Sequence, residues 1–335
     1  MKRLAIILLS LVFMAQSADA QTLKAVKSRG VLLCGSNGTL AGFGLPDANG
    51  KWTGLDVDFC RAVAAAIFND ADKVKFVPLS AKDRFTALQA GEVDLLARDT
   101  TWTISRDSTL GLNFVGVDYF DGQGFMVRKT LKLNSAFELQ GASICLQQGT
   151  TTELNASDYF RAHNMRFKPV TFATANEAVK AYDAGRCDAY TTDASSLYSE
   201  RLRLANPDDH MLLPEIISKE PLGPAVRQGD DQWFDVVKWT LFAMIDAEEL
   251  GITSQNIDAM KASSSPDVRR LVGTEGNYGE QLGLTKDWAA SIVKLVGNYG
   301  EVFERNVGSG SPLKIDRGLN RLWDKGGIQY APPIR

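Results

Sequence analysis

A weak internal repeat constrains the fold of this chain more than any other feature. Phe85-Thr-Ala-Leu-Gln-Ala-Gly-Glu-Val-Asp94 returns as Val179-Lys-Ala-Tyr-Asp-Ala-Gly-Arg-Cys-Asp188. Each copy reads as a helix stopped by glycine and followed at once by a short strand, Val93–Ala97 in the first and Cys187–Thr191 in the second. Upstream, Gly30-Val-Leu-Leu-Cys34 and Gly141-Ala-Ser-Ile-Cys145 read as equivalent buried strands. The first copy is the longer, and the Gly-rich stretch Asn37–Gly54 is the candidate insertion. Between these markers each half alternates strand and helix. Leu55, Phe59, Val63 and Ile67 recur every fourth residue as one helix face, and Lys73–Leu79 then reads as a strand. In the second half Glu153–His163 is helical, Phe167–Phe172 a strand and Asn176–Ala184 helical. Such alternation predicts a mainly parallel sheet covered by helices. Two copies predict a bilobal α/β protein with two parallel-rich sheets and a ligand cleft between the lobes.

The chain is expected to cross between the lobes twice, at Asp121-Gly122-Gln123-Gly124 and at Pro221–Pro224. This gives a first lobe of residues 21–125 plus about 222–335, with a C-terminal extension, and a second lobe of 126–221. The extension reads as helices over Asp231–Leu250 and Asp287–Arg305 and a packed irregular tail, Gly308–Arg335. At the other end, Lys2 and Arg3 precede the apolar run Leu4–Met14, which Ala18-Asp19-Ala20 closes with small residues. These are the parts of a secretory signal peptide cleaved after Ala20. The run is short of the roughly 20 apolar residues that a membrane span needs. No cysteine follows it closely enough for a lipid anchor, and Trp239–Ile245 is too short to span. A freely soluble exported protein is expected.

With 37 basic and 40 acidic residues the net charge is −3, and no Lys/Arg block stands out, which argues against nucleic acid as a partner. Four cysteines in an exported chain are expected to pair. Three connectivities are open; the repeat favours Cys34–Cys60 and Cys145–Cys187, one bridge per lobe, with buried free thiols as the alternative. No CxxC or Cys/His spacing suggests a metal, and no cofactor is expected. His163 and His210 read as surface loop residues, leaving no material for a His-based triad.

Ligands of parallel sheets meet the carboxyl ends of the strands, and three groups fall there. Asp99-Thr100-Thr101-Trp102-Thr103-Ile104-Ser105-Arg106 follows the first repeat strand, and a guanidinium beside hydroxyls suits a carboxylate. Gln148-Gly149-Thr150-Thr151-Thr152 starts a helix whose free N–H groups form an anion seat. Asp193 follows the second repeat strand. Together they suit a zwitterion bearing carboxylate and ammonium. Taken singly, Arg106 is a surface arginine, Gly149–Thr151 a helix cap, and Asp193 the N-cap of a helix Ala194–Ala205.

These pieces resemble the periplasmic substrate-binding proteins of polar amino-acid ABC transporters, a type II bilobal fold. The resemblance rests on Gly54-Leu55-Asp56-Val57-Asp58, Ala90-Gly91-Glu92-Val93-Asp94, Thr101 with Arg106, Gln148-Gly149-Thr150-Thr151 and Asp193. It is strongest to the general L-amino-acid-binding branch, through Asp121-Gly122-Gln123-Gly124-Phe125, Gly297-Asn298-Tyr299-Gly300-Glu301 and the tail Ile328–Arg335. The resemblance implies that Arg106 holds the ligand α-carboxylate with Thr101 and Thr150 or Thr151, and that Asp193 takes the α-ammonium. Many members place an aromatic after the first strand. Here Leu40 is the nearest equivalent, with Phe43 close by, which disfavours a cationic ligand. Asp99 stands where a small residue or amide is more usual; it is expected to face solvent, the alternative being that it assists the ammonium.

The resemblance implies a non-enzymatic binder of L-amino acids, expected as a monomer, that serves a membrane permease and its ATPase. The alternative is an exported cyclohexadienyl or arogenate dehydratase on the same fold, with Glu153 and Asp99 as the acid–base candidates. A membrane-attached sensor domain is disfavoured, because no transmembrane segment follows.

Overall fold

The structure, a computed structural model, describes residues 21–335. The expected signal peptide and its cleavage site lie outside the described residues. Helix α1 (Gln21–Arg29) leads into β1 (Leu32–Ser36). The candidate insertion follows as a tight turn, Leu40 to Gly44, and a small hairpin, β2 (Leu45–Pro46) and β3 (Trp52–Thr53). Next come α2 (Leu55–Phe68), β4 (Val74–Pro78), α3 (Arg84–Gln89), β5 (Leu95–Leu96), α4 (Ile104–Thr109), β6 (Leu112–Phe114), β7 (Tyr119–Asp121) and β8 (Gln123–Arg128). The chain continues as β9 (Ser143–Gln147), α5 (Thr151–Ala162), β10 (Lys168–Phe172), α6 (Ala175–Asp183), β11 (Ala189–Asp193) and α7 (Ala194–Arg201). It returns through β12 (His210–Leu212), β13 (Glu220–Leu222) and β14 (Ala225–Arg227) to α8 (Asp231–Glu249).

Two five-stranded sheets result, in the orders β4-β1-β5-β14-β6 and β10-β9-β11-β8-β12. In each, three strands at one edge run parallel and two at the other pair antiparallel. The sheets are therefore mixed, with parallel pairing confined to the repeat. Only one strand in each sheet runs against the other four: β14, where the chain has returned from the second lobe, and β8, where it arrives there. The two crossing segments pair with each other as β7 and β13, placing Tyr119 opposite Leu222 and Asp121 opposite Glu220. Gly223 closes this ribbon, where a Cβ would stand 2.0 Å from the Gly116 carbonyl oxygen.

Helix α2 shows why the first lobe is the larger. Its fourfold apolar face is buried, and so is the rest of the helix apart from Arg61 and Phe68. Ala62 and Ala64–Ala66 are small enough for α8 and the helices Trp288–Leu295 and Tyr299–Asn306 to pack on the far side. The second lobe has no such jacket: α5 buries only Thr152, Ala156 and Phe160. The single helix expected over Asp287–Arg305 is broken in two. Gly297 takes a φ of +105°, and Asn298 starts the next helix through a capping box with Glu301. The tail is irregular apart from single turns at Gly318–Asn320 and Trp323–Lys325, and it buries Leu313, Leu322, Ala331 and Ile334 against the first-lobe core.

The cysteines pair as the repeat favours. Cys34–Cys60 ties β1 to α2 and Cys145–Cys187 ties β9 to the approach of β11, leaving no free cysteine among the described residues. His163 is exposed, but His210 corrects the surface expectation. It opens the edge strand β12, is buried, and holds the Tyr182 hydroxyl at 2.7 Å. No described helix is long and apolar enough to cross a membrane.

Candidate functional site

The strand-to-helix turns of both lobes open on one cleft. From the first lobe come Leu40 after β1, Arg84 at the start of α3, and Arg98, Asp99 and Thr101 after β5. The second lobe contributes Thr150–Thr152 at the start of α5, Asp193 at the β11–α7 turn, and Ser196 and Glu200 from α7. Of the residues singled out in the sequence, Thr101, Thr150, Thr151, Asp193 and Leu40 line this cleft, and Arg106 and Phe43 do not. Phe43 is corrected outright. The turn from Leu40 to Gly44 drives its ring into the core, edge-on to Tyr119 with centroids 5.2 Å apart. Leu40 remains on the apolar part of the wall, with Ala175 and Tyr190.

Arg106 stands one layer behind. Thr103 caps α4 by accepting its N–H, and its guanidinium donates to the Thr101 carbonyl at 2.8 Å. It is 8% exposed and has no acidic partner within 4.0 Å among the described residues. Burial lowers its pKa, an effect opposed by the charges of Glu220 and Asp193.

Asp193 occupies the N-cap position of α7, yet its side chain caps nothing. It is 7% exposed, and its carboxylate accepts no hydrogen bond among the described residues. Burial pushes its pKa well up, helped by the negative charges of Asp121, Glu220 and Asp99, while Arg84 pulls the other way.

At α5, Gly149 makes the turn with a φ of +74°, and the Thr150 hydroxyl donates to the Gln147 carbonyl at 2.7 Å. The Glu153 carboxylate accepts the Gly149 N–H at 3.3 Å, which is ordinary first-turn service.

Asp99 corrects the expectation of a solvent-facing group. It lines the cleft, accepts from Asn37 Nδ2 at 2.9 Å and pairs with Arg98 at 3.2 Å. Its φ of +35° explains why a small residue would be easier here, and its N–H donates to Asp56 Oδ2 at 2.9 Å. Asp56 opens α2, so the Gly54–Asp58 motif anchors this loop from below.

The sequence reading missed Glu220, 1% exposed on the crossing strand β13. One oxygen accepts from Thr101 Oγ1 at 2.6 Å and Thr151 Oγ1 at 3.0 Å. The other accepts from Asn155 Nδ2 at 2.6 Å and Ser218 Oγ at 2.7 Å. The hydroxyls of both lobes are thus gathered on the protein's own carboxylate at the start of α5. Arg84 and Glu200 were also missed. Glu200 pairs with Arg203 at 2.7 Å, and burial raises its pKa to about 7.

Residues 32–256 match the family model of bacterial extracellular solute-binding proteins, family 3. A general L-amino acid-binding periplasmic protein, AapJ of Rhizobium johnstonii, is 64% identical over 96% of this chain and 95% of its own. A glutamate/glutamine/aspartate/asparagine-binding protein, BztA of Rhodobacter capsulatus, is 54% identical over 96% of this chain and 95% of its own. A solved ABC-transporter periplasmic binding protein of Brucella ovis, with glutathione bound, superposes with a TM-score of 0.93. It is 62% identical, covering 94% of this chain and 99% of that one. The chain belongs to the bacterial extracellular solute-binding proteins, family 3.

Proposed function

We propose that the chain is the substrate-binding component of an amino-acid ABC transporter. It takes L-amino acids of varied side chain, polar, acidic and amide ones included, between its lobes. One observation carries the reading: Asp193 presents an unpartnered carboxylate on one lobe, while the facing lobe sets guanidinium groups against it. An amino-acid zwitterion completes that arrangement. The binding roles named for the relatives from Rhizobium johnstonii and Rhodobacter capsulatus support it. The boundary expected at residue 125 moves back, because β8 belongs wholly to the second sheet: residues 21–121 with about 222–335 act as one lobe and 123–219 as the other, closing about the β7–β13 ribbon. Asp193 takes the α-ammonium. Arg106 holds the α-carboxylate with help from Thr101 and Thr150 or Thr151, whose hydroxyls turn to it from the Glu220 and Gln147 oxygens they meet in the empty cleft, and Leu40 covers the aliphatic part of the side chain.

Ligand shifts the population to the closed form because only that form contacts it from both sides. The closed form delivers it to a membrane permease and its ATPase. The protein works as a monomer in the periplasm after cleavage following Ala20. Glu153 and Asp99, the carboxyl groups a dehydratase would need, are spent on a helix turn and an ion pair, which favours binding without chemistry. The test is calorimetric titration of the unfolded, stripped and refolded protein with each of the twenty L-amino acids. Micromolar or tighter binding of several chemically different ones is expected. Failure to bind any, with turnover of prephenate or arogenate, would replace this reading with the enzymatic one.

A further inference from the structure

Helix α8 ends in a concentration of negative charge. Asp246 and Glu249 stand in its last turn, where the unpaired carbonyls of a helix already favour a cation, and no basic residue lies in that turn. Glu248 beside them is answered by both terminal nitrogens of Arg317, but Asp246 and Glu249 are not. Asp246 is 8% exposed and accepts no hydrogen bond among the described residues, and its Oδ2 is closed off from solvent without a partner. Glu249 is exposed and accepts only the Trp323 indole N–H, at 3.2 Å. Both line a pocket on the first lobe that shares no residue with the cleft, and its walls include Leu250, Leu271, Pro333 and Ile334.

The charges around this pocket leave one position open. Asp267, at its rim, takes Arg270 at 2.9 Å and Arg335 at 3.4 Å. Glu275 holds Arg269 at 3.3 Å and shares Arg270 at 3.6 Å. Lys325 feels the charge of Glu249 but is bound to Asp324 at 2.7 Å. Four carboxylates, those of Asp246, Glu249, Asp267 and Glu275, therefore meet three guanidinium groups. The missing positive charge falls on Asp246 and Glu249, neither of which has a cation within 4.0 Å among the described residues. Burial, with the charges of Glu249 and Asp267, raises the pKa of Asp246 to about 7.

A dry carboxylate at the foot of an apolar-walled pocket suits a cation carried on an aliphatic stem, the head on the carboxylate and the stem along Leu250 and Leu271. With Oδ2 sealed, one oxygen of Asp246 is left to meet it, which fits the point charge of an ammonium better than the fork of a guanidinium. We propose that this pocket is a second binding site, for a primary ammonium group on an aliphatic stem, seated between Asp246 and Glu249. A free alkylamine and the lysine side chain of a protein both carry that group. The site is independent of the amino-acid cleft and of the function proposed for it.

The experiment is NMR titration of the mature protein and of Asp246→Asn with pentylamine, methylamine, butylguanidine and Nα-acetyl-L-lysine N-methylamide. Pentylamine should bind saturably with a dissociation constant of about 1 mM or below, and methylamine, which lacks the stem, at least about tenfold more weakly. Asp246→Asn keeps the shape of the side chain; it should weaken pentylamine at least about tenfold and leave binding of L-glutamine unchanged. Affinity of the unmodified protein for pentylamine should rise as the pH passes through about 7, where Asp246 gives up its proton. Binding of the lysine amide as tight as that of pentylamine supports the site with a protein's lysine as its source, and binding of pentylamine alone supports it with a free amine. No saturable binding of pentylamine, equal binding by Asp246→Asn, or tighter binding of butylguanidine would overturn the proposal, and each leaves the amino-acid reading intact.

Discussion

The two lobes share a strand order and a disulfide each, yet they turn opposite faces to the cleft. The first presents Arg84 and Arg98, with Arg106 just behind; the second presents Asp193, Glu200 and the hydroxyls of Thr150 and Thr151. A repeated frame brings equivalent strand ends to one place, and the side chains grafted on it decide the polarity of each wall. The lobes also differ in support. Helix α2 is wrapped by the C-terminal helices, whereas α5 leaves Leu154 68% exposed. Binding specificity and mechanical robustness are therefore distributed unevenly, and each half of that statement can be tested.

The largest effect should come from deleting one charge on each wall. Asp193→Ala leaves the ligand ammonium without a partner and should cost about 3–5 kcal/mol of binding, more than a hundredfold in affinity. The unliganded variant should melt no lower, because an unbonded buried carboxylate has been removed. Arg106→Ala should cost at least about 3 kcal/mol by calorimetry. Near-native affinity there would shift the α-carboxylate away from Arg106 and break the assignment of walls.

Stability should divide differently. Replacing both Cys145 and Cys187 by alanine removes the second-lobe bridge, a span of 42 residues, and should cost about 3–4 kcal/mol. Without a helical jacket that lobe should then unfold first, giving two transitions in scanning calorimetry. A single shifted transition would mean that the first lobe carries the second with it.

Acid should stabilise the empty protein and weaken ligand binding. Asp118 and Glu200 are raised to about 7 and Asp121 to about 6, chiefly by burial. The folded protein therefore holds protons that the unfolded chain releases near pH 4, and stability is lost as pH rises from about 4 to 7. Melting of unliganded protein at pH 5.5 should exceed that at pH 8. Ligand ammonium favours ionised Asp193, whose pKa is raised when empty, so binding should release protons and weaken on acidification. Titration in buffers of different ionisation enthalpy reads that release directly.

The smallest expected effect is that of Glu220→Gln. Removing this charge relieves Asp193 and Asp121, so the acid limb of the affinity profile should move to lower pH by less than about one unit. An unmoved limb would assign the acid limb to another group.

Much of this was legible because it is local. Glycine stops, fourfold apolar spacing and paired cysteines mark the strands, the helices and the bridges, and the strand ends in turn mark Thr101, Thr150, Thr151 and Asp193. What escaped depends on chain brought from far away. Glu220 meets Thr101 from 119 residues off, and nothing around Lys219-Glu220-Pro221 announces it. Arg84 reads as a first-turn helix residue until the β5 exit is folded over it. Phe43 was misassigned because a tight turn, which periodicity does not register, reverses which neighbour faces the cleft.

The place of β14 between β5 and β6 also sets an order of assembly. A chain emerging amino end first has made every strand of the second sheet by Leu212, while the first sheet still lacks a central member. Until Ala225–Arg227 arrives, β5 and β6 have open edges and cannot be joined. The second lobe can therefore complete itself as an insert, and the frame around it closes last. A polypeptide ending before Ala225 would keep one finished lobe attached to half of another.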